Sequence, residues 1–147
     1  EQGGKIRCGG KRSSISNKGY YFPATIIECK NHNLPTAENE LFGPVLSVMK
    51  FDTEEEAIAI GNDVVFGLAA GVWTSNIGRA LRMSEKLRAG TVWVNTYRAV
   101  SFTSPFGGYK RSGEGRENGQ EAIKAFLQVK SVWIAQETST ANPFIMR

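Results

Sequence analysis

The stretch from Val45 to Asn95 reads as strand, helix, strand, helix, strand, and this order constrains the chain more than any other feature. Within Val45–Phe51, Val45, Ser47, Met49 and Phe51 fall on one side and Leu46, Val48 and Lys50 on the other, the pattern of a mostly buried strand. Thr53-Glu54-Glu55-Glu56 follows as a capping box: the Thr53 hydroxyl accepts from a free N–H of the first turn, and Glu56 reaches back to the Thr53 N–H. The three glutamates also suit the positive end of a helix dipole, so they read as a helix start and not as catalytic acids. Ala57, Ile58 and Ile60 form the apolar face, and Gly61-Asn62 ends the helix. Leu68–Trp73 is the next strand, and Ser75 or Asn76 caps the next helix. Ile77, Ala80, Leu81 and Leu87 recur there at helical spacing, with Gly90 at the C-terminal end. Thr91–Asn95 closes the series. Strands alternating with helix-length connections imply a parallel sheet with crossover helices.

Either side of this unit the signals are shorter. Lys5–Cys8 is a strand ended by Gly9-Gly10, and residues 11–19 are a polar loop. Pro23 confines the following strand to Thr25-Ile26-Ile27. Residues 30–40 are polar again and contain Pro35. Residues 96–119 form a Gly-, Ser- and Tyr-rich loop, and so long a loop inside a compact domain marks a functional segment. Ala122, Ile123, Phe126 and Leu127 mark a short amphipathic helix, Val129–Ile134 a last strand, and the tail after Gln136 is loosely held.

Composition excludes several classes. With 41% hydrophobic and 22% charged residues in 147, the chain can build a core, although a piece cut from a larger domain would leave part of that core exposed. The net charge of +4 is spread in short interrupted runs, which argues for a solvated basic surface and against nucleic acid. Cys8, Cys29 and His32 lack metal-ligand spacing, so no metal is expected. No stretch approaches the ~20 apolar residues of a membrane span. Glu1-Gln2-Gly3-Gly4 resembles neither a signal peptide nor an initiation site and reads as the interior of a longer chain.

Four stretches carry a family resemblance: ELFGPV at 40–45, FGLAAGVWT at 66–74, GTVWVN at 90–95 and SPFGGYKRSGEGRENG at 104–119. Together, in this order and at these spacings, they resemble the aldehyde dehydrogenase superfamily. The resemblance runs from about residue 1 to residue 134. It implies an α/β fold, namely the C-terminal part of a three-layer, parallel-sheet catalytic domain. Residues 1–127 would belong to that domain, and residues 128–147 would form a terminal strand and tail for oligomerisation. The implied reaction oxidises an aldehyde to a carboxylic acid with NAD or NADP, through a cysteine thiolate and its thioester. Implied partners are a small aldehyde and further copies of the chain, as a dimer or tetramer, in the cytoplasm.

The resemblance also assigns roles to individual residues. Glu40 matches the glutamate of the E-x-F-G-P motif, whose carboxylate accepts from ribose hydroxyls of the cofactor's nicotinamide half. Phe42 matches the phenylalanine flanking the nicotinamide ring. From spacing alone the two read as a solvated loop acid and a core aromatic; the motif turns the reading to the cofactor role. Phe106 matches the aromatic wall of the aldehyde channel, with Val100, Tyr97 and Phe102 beside it, against ordinary loop packing. Asn95 either borders that channel or is a turn asparagine satisfying its own backbone. Glu117 matches a glutamate that pairs with a lysine and could relay protons, or else simply starts a helix. Gly113-Glu114-Gly115-Arg116-Glu117-Asn118-Gly119 is G-x-G-x-x-x-G with no strand immediately before it, so it is not a phosphate cradle. Neither Cys8 nor Cys29 sits in the family's nucleophile motif, and both read as packing or surface residues. The nucleophile should lie upstream of Glu40, in a segment these residues do not include. The chain by itself is therefore expected to be inactive as an oxidoreductase. The alternative is a non-catalytic binding or assembly module derived from that family.

Overall fold

A computed structural model describes residues 3–16, 18–136 and 144. Strand β1 (Lys5–Cys8) runs antiparallel to β2 (Thr25–Glu28), which runs parallel to β3 (Val45–Val48). A one-turn helix, α1 (Pro35–Glu38), interrupts the polar 30–40 stretch, with proline in its first turn, where a missing N–H costs nothing. Helix α2 (Glu54–Asn62) follows β3. Then come β4 (Phe66–Gly67), β5 (Ala69–Val72), α3 (Ile77–Lys86) and β6 (Thr91–Val94), and β5 and β6 pair in parallel. Strand β7 (Tyr109–Lys110) returns antiparallel to β4. No helix among the described residues is long and apolar enough to cross a membrane.

Local signals account for the helix starts. The Thr53 hydroxyl accepts from the Glu56 N–H at 3.1 Å. The reciprocal half of the capping box differs from expectation: the Glu56 carboxylate accepts from Asp52 N–H at 2.7 Å, one residue before the cap. Asn76, and not Ser75, caps α3, accepting from Arg79 N–H at 2.9 Å.

Three expectations need correction. Parallel pairs and crossover helices are present, but the strands fall into three small sheets, and β3 does not pair with β5. Residues Gln120–Phe126 form a 3₁₀ helix and not an amphipathic α-helix; Ile123 and Phe126 are both exposed, so no packed face selects the wider turn. Val129–Ile134 is not a strand: among the described residues nothing pairs with it, and Val129 and Trp133 are 99% and 94% exposed. A ladder needs a partner, and an extended segment without one is only extended. Most of the tail after Gln136 lies outside the described residues.

The core is small. Among the described residues only Thr25, Cys29, Gly67, Val72, Ala80 and Gly108 are buried, while Phe51, Trp73, Leu81 and Leu46 remain exposed. Thr25 satisfies itself in place, accepting from Gly10 N–H and donating to the Pro23 carbonyl, each at 2.9 Å. The apolar content foreseen for a core is present, but this chain leaves most of it open to solvent.

Candidate functional site

The long loop after β6 is anchored at both ends and in the middle. The Trp93 indole N–H donates to the Ala99 carbonyl at 2.8 Å, and its ring meets Tyr97 edge-on at 5.6 Å. Phe106 and Glu117 exchange two backbone hydrogen bonds, each 2.7 Å. Arg116 donates to the Gly108 and Gly115 carbonyls at 2.9 Å each and lies over the Tyr109 ring. Lys110 donates to the Asn62 and Val64 carbonyls at 2.8 and 2.9 Å, tying the loop back to the end of α2. The segment read as a structureless loop is thus a backbone-fixed scaffold.

That scaffold encloses a cavity of about 410 Å³, walled by Thr91, Trp93, Val100, Pro105 and Phe106 among others. Val100 and Phe106 are therefore brought together. Tyr97 and Phe102 lie outside its wall and are 62% and 91% exposed. Asn95 also lies outside it. Its amide accepts from Thr74 N–H and donates to the Thr74 carbonyl, each at 2.8 Å, with a left-handed φ of 54°. Asn95 therefore satisfies the backbone of Thr74, not its own, and clamps the ends of β5 and β6 together.

Glu40 borders a second cavity, of about 310 Å³, with Asn39, Gly67, Leu68, Arg88 and Ser112 among its walls. The Glu40 carboxylate has no hydrogen bond or ion pair among the described residues. Phe42 lines neither cavity; its ring is 91% exposed and its φ is +50°. Within this chain Phe42 is not a core aromatic.

The Glu117 side chain is exposed and pairs with no lysine among the described residues, so the relay suggested by resemblance is not formed within this chain. Cys29 is buried with Sγ 3.8 Å from the Thr36 hydroxyl, and Cys8 is exposed. His32 Nε2 lies 2.5 Å from Asp63 Oδ2 and so faces α2, not Cys29. No cluster able to hold a metal occurs among the described residues.

One charged centre escaped sequence reading. Glu54, in the first turn of α2, receives Arg82 at 2.7 and 2.8 Å and Arg79 at 3.3 Å, both from α3. Only 11% of its side-chain surface is exposed. The Arg82 hydrogen bond outweighs partial burial and lowers the Glu54 carboxyl from its ordinary 4.5 to about 2. A carboxyl lowered in the folded state stabilises the fold above the unfolded value, and that contribution is lost as pH falls towards the folded value. Wild type should therefore lose stability between about pH 4.5 and 2, whereas Glu54→Gln, weaker at neutral pH, should converge with it at the acid end. Urea midpoints across that range measure this, and a gap at pH 2 as wide as at neutral pH would refute it.

Comparison with known proteins gives the chain its family. Residues 1–132 match the description "Aldehyde dehydrogenase family". The chain is 47% identical to (Z)-2-((N-methylformamido)methylene)-5-hydroxybutyrolactone dehydrogenase of Acinetobacter baylyi, over 100% of this chain and 30% of that protein. It is 46% identical to an aldehyde dehydrogenase of Enchytraeus buchholzi, over 93% of this chain and 27% of that one. Among solved structures, a mutant indole-3-acetaldehyde dehydrogenase of P. syringae, in complex with NAD+ and IAA, superposes with a TM-score of 0.84 at 46% identity. That match covers 90% of this chain and 27% of the other. A Mycobacterium tuberculosis aldehyde dehydrogenase complexed with NAD+ gives 0.82 at 42% identity, over 94% and 28% of the two chains. The chain spans about 30% of the length of the relatives it matches, and within that span sequence, motif order and fold agree: it belongs to the aldehyde dehydrogenase family.

Proposed function

We propose that these residues supply the nicotinamide-ribose contact and part of the aldehyde channel of an NAD(P)-dependent enzyme that oxidises an aldehyde to a carboxylic acid. The observation that carries this reading is Glu40: a carboxylate at a cavity, with no partner among the described residues, next to a bare aromatic at Phe42. An ionised carboxylate accepts two hydroxyl donors well, which suits a ribose diol. The exposed Phe42 ring offers an apolar face to a nicotinamide. NAD, present in the two solved relatives described, supplies the hydride acceptor. The nicotinamide halves of NAD and NADP are chemically the same, so Glu40 and Phe42 serve either.

Val100 and Phe106 form the apolar wall against which an aldehyde chain lies and from which water is excluded. Glu117 fixes Phe106 through the backbone, and its uncommitted carboxylate is the group that would take a lysine from the rest of the enzyme as a proton relay. The attacking thiolate belongs to neither Cys8 nor Cys29, which lie in strand-end contexts. Made alone, the 147-residue chain should therefore show no aldehyde-dependent NADH formation above background. The exposed apolar run Val129, Val132, Trp133 and Ile134 suits a subunit contact in an oligomer.

The test is a chimera in which these residues replace their counterpart in the Acinetobacter relative. Glu40→Gln in that chimera should raise KM for the nicotinamide cofactor about tenfold, the worth of one charge-assisted hydrogen bond. Phe106→Ala should raise KM for the aldehyde and leave the cofactor KM alone. Unchanged cofactor KM in Glu40→Gln would remove the ribose assignment.

A further inference from the structure

The walls of the cavity beside Phe106 carry no charged side chain: they are apolar or, at Thr91, Ser101 and Ser104, hydroxylic. Every wall residue lies between Gly90 and Phe106. The sequence around that span is one-sided in charge. From Lys86 to Gly113 there is no aspartate or glutamate, against the basic residues Lys86, Arg88, Arg98, Lys110 and Arg111. Apolar walls focus the field of such charges and favour an anion between them. The acid attached to the wall is Glu117, through its backbone bonds to Phe106, and in the reading above its carboxylate is matched by a lysine from the rest of the enzyme.

Between Gly90 and Phe106 the one charged residue is Arg98. Left-handed φ values at Asn95 (54°) and Arg98 (57°) bracket Thr96-Tyr97 and fold the loop back on β6. The Tyr97 ring meets Trp93 edge-on, the Trp93 indole N–H holds the Ala99 carbonyl, and the Arg98 guanidinium lies over the Tyr97 ring, 5.4 Å from its centre. Trp93 and Ala99 are wall residues, so the stack stands against the wall from outside and brings a cation to its rim. A residue with a long side chain takes left-handed backbone only where its surroundings hold it there. Arg79 and Arg82 are bound to Glu54, and Arg116 to backbone carbonyls, but Arg98 has no hydrogen bond or ion pair among the described residues.

We propose that Arg98 is a specificity-determining residue, and that the aldehyde taken at this site carries a carboxylate at the end away from its carbonyl. The inference rests on the reading of this cavity as part of the aldehyde channel. The apolar walls take the methylene chain, and the guanidinium takes the carboxylate. An arginine attracted to a ring by its charge keeps its fork of N–H donors for a carboxylate. A neutral chain end leaves that fork unanswered, and a cationic one is repelled by it.

The chimera tests this with two aldehydes of one chain length, glutaric semialdehyde and pentanal, which differ in a terminal carboxylate against a methyl group. The ratio of their KM values, pentanal over glutaric semialdehyde, should fall about fivefold in Arg98→Gln, the upper range for an exposed ion pair. Taking the ratio cancels any effect on folding or on the cofactor. Arg98→Lys should restore most of it, and the wild-type ratio should shrink as salt is raised. A ratio that is the same in wild type and Arg98→Gln overturns the proposal. Binding is read separately, without cofactor and so without turnover. Glutaric semialdehyde should shift the Arg98 Nε–Hε resonance and pentanal should not; no shift with glutaric semialdehyde also overturns the proposal. If Phe106→Ala leaves both KM values unchanged while Arg98 still discriminates, the channel reading fails and the anion preference stands. An inactive chimera in which glutaric semialdehyde still shifts Arg98 ends the functional reading alone.

Discussion

Gly90→Ala is expected to lower stability by about 3 kcal/mol or more, the upper range for forcing atoms into a closed contact. A Cβ at Gly90 would stand 1.7 Å from the Gly107 carbonyl oxygen and 2.8 Å from its carbon. The obstacle is backbone, so no side chain can swing aside. The start of β6 would have to part from the loop that carries Phe106, breaking the Gly90 N–H to Gly67 carbonyl bond of 3.0 Å. In a chain that buries so few side chains this loss should abolish the folded state. Gly115→Ala is the control. Its Cβ meets nothing within 4 Å, so its midpoint should stay within about 0.5 kcal/mol of wild type. Urea denaturation followed by circular dichroism separates the two. Equal midpoints would mean that β6 and the loop do not approach as described.

Asn95→Ala should cost about 3 kcal/mol. Roughly 1 kcal/mol comes from each of the two hydrogen bonds to Thr74, and about 1 more from holding alanine at left-handed φ. Asn95→Gly separates these terms: glycine accepts the +54° backbone without strain but makes neither hydrogen bond, so it should recover about a third of the loss. Asn95→Asp keeps an acceptor for Thr74 N–H and places a second oxygen against the Thr74 carbonyl, so it should fall between wild type and alanine. Urea midpoints for the series check this. Equal loss in the alanine and glycine variants would assign the whole effect to the amide clamp.

What was legible in the sequence was short-range. The Thr53 and Asn76 caps act over three residues, and the alternation in Val45–Phe51 reports one strand's two faces, so both could be read along the chain. The Glu54 centre could not, because its partners lie 25 and 28 residues away on another helix. Asn95 was singled out as a strand-end asparagine, but its partner Thr74 is 21 residues distant, and only folding shows that the amide closes two strand ends. Val129–Ile134 failed as a strand for a related reason. Its composition favours extended backbone, and composition carries no information about what lies alongside.

The motifs at 40–45, 66–74, 90–95 and 104–119 determined the family, because side-chain identity and spacing are properties of the chain itself. They also marked Glu40, Phe42, Asn95, Phe106 and Glu117 as candidates, with Val100 beside them. Only tertiary structure decided that Val100 and Phe106 share a wall, that Glu117 reaches Phe106 through its backbone, that Asn95 serves Thr74, and that β3 and β5 fall into separate sheets. Each of these is a relation between residues that are not neighbours along the chain, set by which backbones pair and which surfaces close over one another. That information is not held by any one stretch of residues.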